Sequence, residues 1–253
     1  MQTLESWAFN IKYQVMSLSR DLSAGTSMIS KDEPPYSLLD ASPWTSFTLN
    51  EGSALKCYTT YEYFLRRTPS PIYTIPTTTA SLPPLPNPFL ANLLSFSYVA
   101  IFPIYNHVEQ VMARVKQMKQ LRKLFIKLIP EPDSTILNDE INAAIGHFDV
   151  NDPWTEFETA LALVAGTCRI LSEASDLDQA ERGSGGNLEE LQVDDVKMLG
   201  MKDDIEDIIN INLTGESINL GWEYKGEGTW KRSSSPPVSI QGPEHPAKTP
   251  SRV

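Results

Sequence analysis

"LRKLFIKLIP", residues 121–130, and "LEELQVDDV", residues 188–196, share one pattern whose reading decides the fold. In each, a leading leucine is followed by apolar residues three and five places on: Leu121-x-x-Leu124-x-Ile126 and Leu188-x-x-Leu191-x-Val193. Alternation of this kind marks a strand with one buried face, because successive side chains of an extended chain point to opposite sides. Pro130 stops the first copy, since proline has no N–H to give to a ladder. The same form is the strand portion of a leucine-rich repeat, in which the first leucine closes the corner into the strand. The copies lie 67 positions apart and lack the Asn that follows the strand in such repeats. An α/β layer with parallel strands is the statement that holds with or without the repeat.

Helices flank both strands. Val108, Val111, Val115 and Met118 recur at spacings of three and four and predict a helix near 105–119, with Arg114, Lys116 and Lys119 on its other faces. "DVNDPWTEFETALALVAG" (149–166) reads as a helix start rather than an acidic chemical site. Asp152 is the expected N-cap, Pro153 suits the first helical position, and Glu156 and Glu158 favour the positive end of the dipole. Trp154, Phe157, Leu161 and Val164 then give an apolar stripe over about 153–173. "KDDIEDIININL" (202–213) predicts another helix that buries Ile205, Ile208 and Ile209, and "GWEYKGEGTWKR" (221–232) reads as a terminal hairpin.

The flanks read differently. The first thirty residues, with Leu4, Trp7, Phe9, Ile11 and Val15, predict a helix. Ten of the nineteen prolines fall between Pro34 and Pro88, which excludes long helices and central strands and predicts irregular or extended chain that packs on the following domain. "LPPLP" (82–86) has no flanking Arg or Lys and reads as a linker rather than a polyproline ligand. "DLDQAERGSGGN" (176–187) predicts a flexible loop, and from Ser233 the chain has little to bury and predicts disorder. The expected division is therefore 1–84, an N-terminal helix plus proline-rich segment; 85–232, an α/β domain; and 233–253, a tail.

A net charge of −11 disfavours non-specific nucleic-acid binding by the whole molecule. The charge is uneven: residues 89–130 hold six basic side chains and one acid, whereas 131–253 hold nine basic and 24 acidic. Cys57 and Cys168 lie 111 positions apart and match no metal or redox spacing, so the expectation is a reduced, intracellular protein, cytoplasmic or nuclear. The apolar run "FLANLLSFSYVAIFPIY" (89–105) is too short and too interrupted to span a bilayer and reads as core.

Residues from about 85 to 232 resemble the C-terminal region of fungal F-box domain-containing proteins with degenerate leucine-rich repeats. The resemblance lies in "LRKLFIKLIPEPDSTIL" (121–137), "DVNDPWTEFETALALVA" (149–165), "LQVDDVKMLGMKDDIEDII" (191–209) and the closing "GWEYKGEGTWKR", four blocks in one order. It implies degenerate leucine-rich-repeat-like layers of short parallel strands and helices. It also implies a non-enzymatic protein-interaction module that selects client proteins for a cullin-type ubiquitin ligase, catalysis residing in associated enzymes. Two features depart from that family: no F-box is recognisable before residue 85, and "SINLG" (217–221) separates "LTGE" from "WEY". Both would follow from a truncated or misassembled gene model, or from genuine divergence. Ligase subunits are expected partners only where an F-box is supplied.

Other chemistry finds little purchase. There is no phosphate loop ending in Lys-Ser/Thr, no G-x-S-x-G elbow and no H-E-x-x-H. Only His107, His147 and His245 are present, and a Cys168/His147 nucleophile pair competes poorly with a buried structural thiol among Leu163, Val164, Ile170 and Leu171. No catalytic, cofactor or metal residue is therefore assigned. The candidate interaction surface is Arg114, Lys119, Lys123, Trp222 and Trp230, although Trp222 and Trp230, like Trp154, read first as core or docking aromatics. The alternatives are a nucleic-acid or anionic-headgroup binder using the basic strip 114–127, and a small enzyme using His147 and its neighbouring acids.

Overall fold

Leu124 stands opposite Leu191, and Ile126 opposite Val193, on neighbouring parallel strands. The two leucine-led segments therefore pack side by side and in phase, despite the 67 positions between them. The computed structural model describes residues 17–20, 44–59, 70, 72, 88–143, 149, 151–178, 188–198, 200–214 and 220–233. In chain order its strands are β1 (Ser17–Arg20), β2 (Trp44–Ser53), β3 (Ser95–Ile101), β4 (Lys123–Lys127), β5 (Glu190–Val193), β6 (Trp222–Gly226) and β7 (Thr229–Arg232). Its helices are α1 (Pro88–Asn92), α2 (Tyr105–Val115), α3 (Ile136–Ala143), α4 (Asn151–Asp178) and α5 (Lys202–Thr214). Short 3-10 turns follow β2 (Leu55–Thr59) and β5 (Asp194–Lys197).

The strands form one sheet in the order β1-β2-β3-β4-β5-β7-β6. β2 to β5 are parallel and in sequence order, while β1 closes one side antiparallel and the β6–β7 hairpin closes the other. Crossovers of one hand between sequential parallel neighbours place their connecting helices on one face. Burial agrees. Phe47, Phe96, Leu124, Leu191 and Trp230 form one buried row across the sheet, and Leu49, Tyr98, Ile126 and Val193 form a second. Against these rows pack Val108, Val111 and Val115 of α2, Phe157, Leu161 and Val164 of α4, and Ile205 and Ile209 of α5.

The leading leucines do the same job in each layer. Leu121 and Leu188 are buried where the chain turns into its strand. Just beyond them the Leu94 carbonyl accepts from the Arg122 and Lys123 amides, and the Arg122 carbonyl from the Glu189 and Glu190 amides. At the other end, Asp195 locks two strands together. Its carboxylate accepts from the Leu128 and Ile129 amides at 3.0 Å, satisfying donors that leave β4 with no ladder partner.

Five expectations are corrected here. The domain boundary at 85 fails, because β2 is a full member of the parallel sheet. Pro43 and Pro69 bracket a proline-free window, and a ten-residue strand fits inside it. Residues 17–20 of the expected N-terminal helix are strand, paired along β2; the rest of that helix lies outside the described residues. The α4 start is held by Asp149, whose Oδ1 accepts the Asn151 amide at 2.9 Å, and not by Asp152. Glu156 also acts at a distance: buried, it accepts the free Tyr105 amide at the start of α2 at 2.6 Å. The helix at 105–119 ends at Val115 and continues as turns. α4 runs to Asp178, so the first residues of the expected 176–187 loop are helical. Residues 179–187, the "LPPLP" segment and the tail beyond Ser233 lie outside the described residues.

Candidate functional site

Among the described residues the helices pack on one face of the parallel sheet, and the other face carries the residues that alternate with the core rows. Ser46, Ser95, Lys123, Glu190, Lys231 and Glu223 stand in register across it. Thr48, Ser97, Phe125, Gln192 and Thr229 form the next row. Asn50, Val99 and Lys127 form a third. All are partly or fully exposed.

The face has two halves. On β2 and β3 it is uncharged, with Ser46, Thr48, Asn50, Ser95, Ser97, Val99 and Ile101. From β4 onward it is charged with alternating sign. Lys123 and Lys231 both approach Glu190 Oε2, at 3.8 and 3.2 Å, and Lys225 pairs with Glu223. Beside this, Arg122 reaches Glu189 at 3.8 Å. Exposed pairs of this kind contribute little stability, so they set the surface pattern more than they hold the fold.

The carboxyl ends of the strands are tighter. Lys127 Nζ donates to Asp194 at 2.8 Å and to Glu131 at 2.6 Å, and Lys197 also pairs with Asp194. Burial works against both charges, but the mutual bonds outweigh it, so the Lys127 pKa lies above the ordinary lysine value and that of Asp194 below the ordinary carboxylate value. Neighbouring Asp195 differs: burial pushes its carboxyl up to about 7, against the pull of the Ile129 and Leu128 amides and of Lys127.

A buried polar cluster closes the ends of β2 and β3. Glu51 accepts from Tyr98 Oη at 3.0 Å and from Ser70, and lies 2.5 Å from His107 Nε2. His107 is 1% exposed and Glu51 5%, and the cluster satisfies the polar tips of buried residues. Cys168 is also sealed: burial pushes its thiol up to about 12, so it stays protonated near neutrality and is no nucleophile. His147, its proposed partner, and His245 lie outside the described residues. Among the described residues no group of three or more His, Cys, Asp or Glu could hold a metal ion, and no helix is long and apolar enough to cross a membrane.

The sequence-predicted surface residues separate. Lys119 and Lys123 are exposed at the amino-end rim of β4, and Arg114 is half-buried in the last turn of α2. Trp222 and Trp230 are not surface residues: they are 8% and 1% exposed. Trp222 Nε1 donates to Ser172 on α4 at 3.1 Å and Trp230 Nε1 to Asn210 on α5 at 2.8 Å, so both anchor the hairpin to the helices. Missing from the sequence reading were Ser46, Thr48, Ser95 and Ser97. The signal for them was Trp44-x-x-Phe47-x-Leu49 and Leu93-x-x-Phe96-x-Tyr98, the same spacing with aromatic residues in place of leucines.

What the fold defines is a mixed α/β protein built on a mostly parallel sheet, with the helices among the described residues on one face. Comparison with known protein families, with curated proteins and with solved structures finds no match.

Proposed function

We propose that this chain is a non-enzymatic protein-interaction module with a degenerate leucine-rich-repeat-like architecture, whose open sheet face receives a client protein. The observation that carries the reading is that four strands of one spacing stack in register and leave one face uncovered. Leu93 and Leu121 lie 28 positions apart, within the range of about 20–29 residues typical of such repeats. Asp195 supplies, from one layer to the next, backbone hydrogen bonds of the kind the missing Asn would otherwise be needed for. Antiparallel strands at both sides of the parallel stack fit the atypical terminal units that repeat arrays require.

In this reading the uncharged hydroxyl-rich half and Phe125 form the centre of the contact, and the charged half fixes register. The resemblance to fungal F-box proteins gives the biological role: the module selects a client for a cullin-type ubiquitin ligase when an F-box is supplied. The test is Ser97→Arg combined with Phe125→Arg in the full chain. Both side chains face outward, so the melting temperature should hold while cross-linking of a client to β3 and β4 is lost. A client that binds the double variant as tightly as the parent, or cross-links only to the helices, overturns the reading.

A further inference from the structure

At the amino ends of β4 and β5 and the carboxyl end of β7 the chain carries a basic rim that the fold does not explain. Lys116, Lys119, Arg122, Lys123 and Lys231 are exposed there, against Glu189 and Glu190. Arg114 and Lys116 can be read as favourable charges at the C-terminal end of α2. Lys119, Arg122 and Lys123 cannot, because they follow the helix. Among the described residues Lys116 and Lys119 form no ion pair. The paired cations sit 3.2–3.8 Å from their carboxylates on open surface, which leaves their charge largely available. In a chain of net charge −11 this is a local reversal of sign.

We propose that this rim binds an acidic segment of the partner protein, a run of Asp and Glu side chains laid across the lower row of the open face. The inference rests on the reading of that face as a protein-binding surface. Glu190, held between Lys123 and Lys231, already occupies one carboxylate position, so the spacing of these cations suits side-chain carboxylates. A second copy of this chain fits worse. Both copies carry −11, so like charge opposes their approach. Single-stranded nucleic acid fits worse too, because stacking aromatics are absent between residues 116 and 123. An anionic bilayer would call for exposed apolar groups among the lysines, and Met118 and Leu121 are buried.

The test uses the full chain and a fluorescent Asp/Glu-rich peptide, read by anisotropy. An Asn/Gln version of the peptide, a single-stranded oligonucleotide and phosphatidylserine vesicles serve as the other arms. The acidic peptide should bind, weaken at least about tenfold in Lys119→Glu/Lys123→Glu, and weaken similarly as salt rises to roughly 0.3 M. The variant should keep the parent's melting temperature and far-UV circular dichroism, which separates loss of the site from misfolding. Equal peptide affinity in parent and variant overturns the proposal, as does tighter binding of the oligonucleotide or the vesicles through Lys119 and Lys123. Client capture that survives the rim variant but not Ser97→Arg/Phe125→Arg removes the rim alone. Capture indifferent to both removes the face as well.

Discussion

Replacing Asp195 separates the hydrogen bonds that hold β4 to β5 from the charge that makes them. Asp195→Ala leaves the Leu128 and Ile129 amides buried and without an acceptor. Bonds to a charged acceptor contribute about 1.5–3 kcal/mol each, so the loss is about 3–6 kcal/mol before any relief. The relief comes from burial. A carboxyl lifted from 3.8 to about 7 destabilises the fold by on the order of 4 kcal/mol above pH 7, relative to its protonated form. Asp195→Asn keeps one oxygen, which both amides already approach at 3.0 Å, and removes the charge. At pH 8 the expected order is therefore Asn at or above the parent and Ala below Asn by several kcal/mol. The sign with pH follows from linkage. The folded pKa is raised, so between 3.8 and about 7 the unfolded chain holds fewer protons than the folded one, and parent stability falls as pH rises through that window. Urea unfolding followed by tryptophan fluorescence, parent against Asn variant from pH 4.5 to 8, isolates this group from other carboxylates. A parent-minus-Asn difference that is flat with pH, or an Ala variant as stable as Asn, refutes the reasoning.

Gly228→Ala should cost several kcal/mol and loosen the hairpin. Gly228 holds φ at +70°, and a Cβ there would overlap the Val193 carbonyl oxygen and sit 2.5 Å from a Val196 methyl; a variant that melts with the parent would show that the hairpin does not seat on β5. Cys168 should react with a thiol reagent at neutral pH only at the rate of unfolding, given its full burial and raised pKa, and fast labelling of the folded chain would contradict that placement.

The parallel pair β4–β5 was legible because its core positions are filled by leucine, isoleucine and valine in strict alternation. β2 and β3 share the spacing but place Phe47, Phe96 and Tyr98 at those positions. The rings pack on one another, Phe47 and Phe96 stacked with centroids 5.8 Å apart and Phe47 edge-on to Phe89 at 5.2 Å. Tyr98 additionally needs a buried acceptor, which Glu51 provides. None of those partners is near in sequence, so no local pattern announces them. The same holds for the acids at the α4 start. Local rules assign Asp152 and Glu156 to their own helix, yet Glu156 caps α2, fifty-one residues away. The proline count misled for a different reason: it averages over a window, and a strand needs only a gap between prolines.

Half of the open face was hidden for the same cause. Sequence reading finds surface sites by charge or by prominent aromatics, and therefore singled out the lysines, which do lie at the rim, and the tryptophans, which are core. Ser46, Thr48, Ser95 and Ser97 are unremarkable as residues and become a surface only through register, once Thr48 and Ser97 line up with Phe125 and Gln192. The register itself is imposed by the opposite side of each strand. A one-residue slip of β3 would carry Phe96 and Tyr98 into water and Ser97 into the core, so the buried rows fix which small polar groups are presented. A substitution such as Phe96→Ser should therefore disturb the open face without touching it, and the open face and the hydrophobic core cannot vary independently.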